Sequence, residues 1–247
     1  MTELDAIFFD LGDTLVDLRE GDGDYMARVG VRAERVYDAI APRSKIPLPD
    51  RREFIEKLVH GTEAFYLAAV ARQQGVDIYD ALRSVFEELG MPVNDGLVEA
   101  AGNAYSAGEG SALAPLRAGA GEVLAALHDR GLRLGVISNT LQPAWSMDEA
   151  LARRGLLHLF AARIYSSELR VAKPHAAIFH AALNALGVVP DRAMHVGDRL
   201  VADVAGAQGA GMRAVLIEVP HRPEPDTNIV PYARIRELPE LLELLTE

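Results

Sequence analysis

Residues 6–9 (Ala6, Ile7, Phe8, Phe9) form an apolar run that follows a charged start and stops at Asp10-Leu11-Gly12-Asp13-Thr14. A short run of this kind, bounded by turn-forming Gly and Asp, predicts a strand buried on both faces. From about residue 17 to 113 the texture is helical. Phe54, Ile55, Leu58, Val59, Thr62, Phe65, Tyr66, Ala69 and Val70 follow the 3.6-residue period, with Asp50 placed as N-cap. Ile78, Leu82, Val85, Phe86 and Leu89 repeat the pattern, closed by Gly90. Tyr25, Val29, Val36, Tyr37 and Ile40 predict an earlier helix, and residues 97–105 a later one. The stretch reads as a bundle of roughly four helices with almost no strand.

After it the chain alternates. Residues 121–129 predict a helix closing at Gly131, and residues 134–137 a buried strand ending at Ser138. Residues 174–186 predict a helix with Ile178, Phe179, Ala182, Leu183 and Leu186 on one face. A strand over 193–196 ends at Gly197-Asp198, and a short helix over 203–210 closes at Gly211. Residues 214–219 predict another strand and 239–245 a terminal helix. Strands alternating with helices imply a parallel sheet covered on both faces. The expected fold is α/β: a Rossmann-like core, residues 1–16 and 114–247, interrupted by an all-helical cap, residues 17–113.

Composition narrows the partners. Of 247 residues 49% are hydrophobic and 25% charged, which supports a full-sized core and excludes disordered or collagen-like architecture. With 25 Lys+Arg against 36 Asp+Glu the net charge is −11, a field that repels phosphate backbones and anionic lipid. Neither nucleic acid nor membrane is expected as a partner. A small anionic substrate then requires a local cation or a metal. The lack of cysteine excludes disulfides, thiolate metal sites and thiol catalysis. The start Met1-Thr2-Glu3-Leu4-Asp5 lacks a signal-peptide pattern, and no apolar run approaches the roughly 18 residues of a membrane span. A cytoplasmic protein, monomer or homodimer, is expected.

In a doubly wound sheet the ligand site lies at the carboxyl ends of the strands, near the point where strand order reverses. The polar residues standing where apolar runs stop are Asp10, Ser138 with Asn139, and Asp198 with Asp203. Each has an ordinary reading as a turn or helix-capping residue. Lys173 is less easily explained: a cation at a helix start opposes the macrodipole, and Pro174 behind it fits the first helical position.

Taken in order, Asp10-Leu11-Gly12-Asp13-Thr14, Ser138-Asn139, Lys173-Pro174 and Gly197-Asp198 with Asp203 resemble the four motifs of the haloacid dehalogenase-like superfamily. The resemblance is to the branch with a helical cap inserted after the first motif, and it covers nearly the whole chain. It implies a phosphatase acting on a small phosphorylated metabolite. Asp10 would be the nucleophile that forms an aspartyl-phosphate; an ionised carboxylate needs no base to attack phosphorus. Asp10, the Gly12 carbonyl and Asp198 would hold Mg²⁺, with Asp203 behind them or acting through water, a hard oxygen set suited to that ion. Leu11, Gly12, Ser138, Asn139 and Lys173 would hold the phosphate. The metal would also relieve the repulsion between three aspartates and a phosphate dianion.

The pattern departs from the family at Gly12, where the usual motif carries a second aspartate as acid and then base. Asp13, one residue further on, is the candidate replacement. Losing general acid–base help typically costs about 10²–10⁴-fold, which leaves room for an enzyme. Two other readings stay open. A 2-haloacid dehalogenase shares the Asp nucleophile and lacks the second aspartate but needs no metal. A degenerate member would bind a ligand or partner without turnover.

Overall fold

The computed structural model describes residues 4–18, 25–107, 115–220 and 227–246. The expected junction between 113 and 114, the leading Met1-Thr2-Glu3 and the side chain of Tyr25 lie outside the described residues. Strand β1 (Ala6–Phe9) is buried at every position. Four helices follow: α1 (Tyr25–Ile40), α2 (Arg51–Ala71), α3 (Ile78–Glu88) and α4 (Asp95–Ser106). The cap expected at Asp50 is present, and a second, not expected from the sequence, forms at α3. The Asp50 side chain accepts from the Arg52 and Glu53 amides, and Asp77 and Asp80 form a capping box at α3. Phe54, Leu58, Leu82, Phe86 and Val98 fill an apolar cluster of these helices, which Leu141 joins from the rest of the chain.

The remainder is α5 (Ala120–Asp129), β2 (Arg133–Ser138), α6 (Ala144–Arg153), β3 (Phe160–Tyr165), α7 (Ser166–Leu169), α8 (Ala176–Leu186) and β4 (Ala193–Gly197). A π-helical turn (Leu200–Ala205) leads into α9 (Gly206–Gly209), then β5 (Arg213–Ile217), β6 (Ala233–Ile235) and α10 (Glu240–Leu244). All strand pairs are parallel, in the order β3-β2-β1-β4-β5-β6. That is a doubly wound order whose direction reverses between β1 and β4. Side chains alternate across the sheet. Ile7 and Phe9 pack in a layer with α5, α6 and α10; Ala6 and Phe8 pack in the opposite layer with α8 and α9.

Three details differ from the sequence expectation. Helix α8 starts at Ala176, with His175 as its N-cap, so Pro174 is not its first residue and Lys173 stands outside the helix. The residue before a proline is biased away from helical geometry. Asp203 does not start a helix; it sits buried inside the π-helical turn. Strands β3 and β6 and helix α6 were not predicted: Arg163 breaks the apolar pattern of β3, and β6 has only three residues.

The chain leaves β1 and returns to α5 through segments that pair with each other. The Asp17 amide donates to Pro115 O and the Arg117 amide to Leu15 O, at 2.8 and 2.9 Å. Among the described residues no helix is long and apolar enough to cross a membrane.

Candidate active site

The strand order reverses between β1 and β4, and the first residue beyond each of these strands is an aspartate. The Asp10 amide extends the ladder by donating to Val196 O at 2.9 Å, which sets Asp10 beside the end of β4. One oxygen from each of Asp10, Asp198 and Asp203 lies within 4.8 Å of the others, and all three side chains are buried. Lys173, 2% exposed, is placed among them. Its Nζ donates to Asp10 Oδ1 at 2.7 Å and to Asp203 Oδ1 at 2.6 Å. Three carboxylates balanced by one ammonium leave an excess of buried negative charge, and hard oxygen donors so clustered fit a divalent cation. The cluster is compatible with a metal site.

Asp203 is anchored from several sides. Its Oδ2 accepts the Arg199 amide at 3.0 Å, and Oδ1 also meets His195 Nε2 at 2.9 Å. Gly197 makes room for it, since a Cβ there would fall 2.2 Å from Asp203 Cγ. The electrostatics follow. Burial alone would raise the Asp203 carboxyl, but the Lys173 charge and the His195 hydrogen bond outweigh it and hold the group below the usual range. Asp10 lacks these extra donors. Burial raises its carboxyl, against the pull of Lys173 and with the push of Asp203. Burial would lower Lys173, yet the two carboxylates hold it above its ordinary value, so it is a cation.

Asn139 is spent on Lys173. Its Nδ2 donates to Lys173 O at 3.1 Å and its Oδ1 accepts the Lys173 amide at 2.8 Å, a two-bond clamp on the backbone. Ser138 is buried at the end of β2, the strand that neighbours β1. Thr14 directs its hydroxyl toward Asp198 Oδ1, at 3.5 Å. Asp13 adopts the left-handed region (φ 55°), and its Oδ1 accepts the Leu18 amide at 3.1 Å. That bond closes the turn after β1, and Asp13 is not among the three clustered aspartates.

Two further groups belong to the neighbourhood. Tyr66, half-buried on α2, has its phenol raised by burial, with the Lys173 charge opposing and the Asp10 and Glu63 charges adding. The face of α2 that carries it therefore lies in the field of the site. His195 escapes a search of strand ends, because it stands inside β4 rather than beyond it. The available signal is a lone polar ring in an otherwise apolar strand.

A family model described as haloacid dehalogenase-like hydrolase matches residues 4–211. The chain is 30% identical, over 99% of its length and 94% of the other's, to a glyceraldehyde 3-phosphate phosphatase of Pyrococcus furiosus. It is 38% identical to a phosphoserine phosphatase of Thermus thermophilus, over 51% of this chain and 50% of that one. Among solved structures, a 2-haloacid dehalogenase of Pseudomonas syringae superposes with TM-score 0.69 at 26% identity, over 98% of both chains.

Proposed function

The chain belongs to the haloacid dehalogenase-like hydrolases, and from that premise we propose that it is a Mg²⁺-dependent phosphomonoesterase of small soluble metabolites. The observation that carries this reading is the cluster of Asp10, Asp198 and Asp203 around Lys173 at the reversal of the sheet. A metal-free dehalogenase gives such a surplus of buried acid nothing to do. The names of the relatives point the same way, to small phosphomonoesters.

In this reading Asp10, Asp198 and the Gly12 carbonyl hold Mg²⁺, with Asp203 assisting through water. Bound there, the ion offsets the charge between carboxylates and phosphate and polarises the phosphoryl oxygens. The Asp10 carboxylate attacks phosphorus as the bond to the departing oxygen breaks, in line on the far side. Water then displaces phosphate and frees Asp10. Lys173 neutralises charge between nucleophile and phosphate, Asn139 fixes Lys173 by its backbone, and Ser138 with the Leu11, Gly12 and Asn139 amides holds phosphate oxygens. Helices α1–α4 act as the lid that excludes water and selects the substrate, with Tyr66 on its inner face.

Phosphate release from para-nitrophenyl phosphate tests the reading. Turnover with Mg²⁺ that a chelator abolishes is the expected result. The similarity to a dehalogenase makes chloride release from 2-chloropropionate the companion assay. Chloride release without metal, or no turnover of either compound, overturns the proposal.

A further inference from the structure

We propose that His195 is a positioning residue of this site, which acts through Asp203 to hold the Lys173 ammonium against Asp10. The inference rests on the phosphatase reading above. His195 lies in the middle of β4, in register with Phe8 of β1 and Ala214 of β5, and its side chain is fully buried. The ring stands edge-on to Phe179 of α8, centroids 5.3 Å apart, within the apolar layer beneath the sheet. An imidazole in such a layer costs desolvation that an aliphatic side chain would avoid. What the ring supplies in return, among the described residues, is one hydrogen bond, between Nε2 and Asp203 Oδ1 at 2.9 Å; Nδ1 finds no hydrogen-bond partner among them.

The same Oδ1 receives Lys173 Nζ, which reaches on to Asp10 Oδ1. The result is a chain of three hydrogen bonds, His195–Asp203–Lys173–Asp10, from the interior of the sheet to the nucleophile. Lysine is a point charge on a flexible stem with three rotatable donors, so its place is set by the carboxylates that hold it. Asp203 can set that place only if it is fixed itself. The Arg199 amide ties one of its oxygens, and His195 ties the other, the one Lys173 uses. A bound phosphate pulls on the ammonium, and the His195 bond keeps Asp203 from swinging after it. A displacement of about 1 Å in such a site costs on the order of 10²-fold in rate.

The test compares His195→Met, which fills the volume without a donor, with His195→Gln, whose side-chain amide nitrogen can reach the place of the imidazole Nε2. For His195→Met, kcat with para-nitrophenyl phosphate and Mg²⁺ falls about 10- to 100-fold while KM stays within about twofold. His195→Gln recovers most of that loss. Thermal unfolding of each variant establishes that it is folded. A second readout needs no turnover: in protein labelled with ¹⁵N-histidine, Lys173→Met shifts the His195 Nε2 resonance, because the two groups share Asp203 Oδ1. Wild-type kcat in folded His195→Met, or equal loss in folded Met and Gln variants, overturns the proposal. So does an unmoved resonance, which also decides the matter if the His195 variants do not fold. If the wild-type protein itself fails to hydrolyse the ester with Mg²⁺, the phosphatase reading fails, and the resonance alone judges the hydrogen-bond chain.

Discussion

The Ala172 amide donates to the carbonyl of Gln73 at 3.0 Å, which fastens the chain just beyond α2 to the residue before Lys173. The seam continues on both sides. Gln74 bridges Val171, Arg170 pairs with Asp77 and Asp80 at the start of α3, and the Ile78 amide donates to Leu141 O. Gly75 passes so close to the core that a Cβ would fall 1.9 Å from Ser166 O, a backbone atom that cannot swing aside. Gly75→Ala should therefore destabilise the protein by about 1–3 kcal/mol and lower kcat, since the Lys173 loop must shift. Unchanged melting and turnover would show that the seam adapts freely.

Asp10→Asn should reduce kcat by about 10⁴-fold or more, the scale on which a lost nucleophile is felt. Melting should stay within a few degrees, because amide and carboxylate have nearly the same shape. Steady-state kinetics and calorimetry on the same preparation check both halves. Retention of more than a few per cent of turnover would remove Asp10 from the nucleophile's role.

The missing acid at Gly12 has a kinetic signature. The Asp13 carboxylate is engaged by the Leu18 amide, so kcat/KM should fall steeply as the leaving-group pKa rises, and Asp13→Asn should leave that slope unchanged. A Cβ at position 12 would lie 3.1 Å from Leu18 Cδ1, the end of a flexible side chain. Gly12→Asp can therefore be accommodated, and it should speed alkyl phosphates by up to about 10²–10⁴-fold while changing aryl phosphates little. A shallow slope in the wild type would contradict the missing acid and make Tyr66→Phe the next variant to measure.

Alkaline stability carries a definite sign. Burial raises the Tyr66 phenol, and burial together with Asp148 raises Tyr165, both above the ordinary value of 10.0. Below about pH 10 folded and unfolded chains hold these protons equally, and the contribution is complete. Above it the unfolded chain releases them first, so stability falls as pH rises. Tyrosinate absorbance of the parent, Tyr66→Phe and Tyr165→Phe should show these two phenols ionising above the ordinary value, after the exposed tyrosines. Ionisation of either near pH 10 in the folded protein would refute this.

How much of this was legible in sequence depends on the kind of signal. The helices α2 and α3 and the strands β1, β2 and β4 carry strong periodicity or continuous apolar runs, and their caps at Asp50 and Gly90 are local chemistry. Strand β3, with Arg163 inside it, carries no such run and is defined by its pairing with β2. At the site, Asp10 and Asp198 are visible because strands end there, and Asp203 because it follows Asp198 by five residues. The use of the Asn139 side chain as a clamp on Lys173 is not, since the two residues are 34 positions apart. His195 is hidden because it stands inside β4 and its meaning lies in Asp203, which folds back over Gly197 from the next turn.

Leu15 and Asp17 lie hydrogen-bonded against Pro115 and Arg117, so the long excursion through α1–α4 begins and ends at one place. For the sheet, that excursion is a loop of nearly zero span. Loop closure costs rise only with the logarithm of length, so helices away from the seam at residues 73–78 can be lengthened or shortened with little strain at Asp10. In the proposed function, recognition and chemistry are thus carried on parts of the chain that can be altered separately.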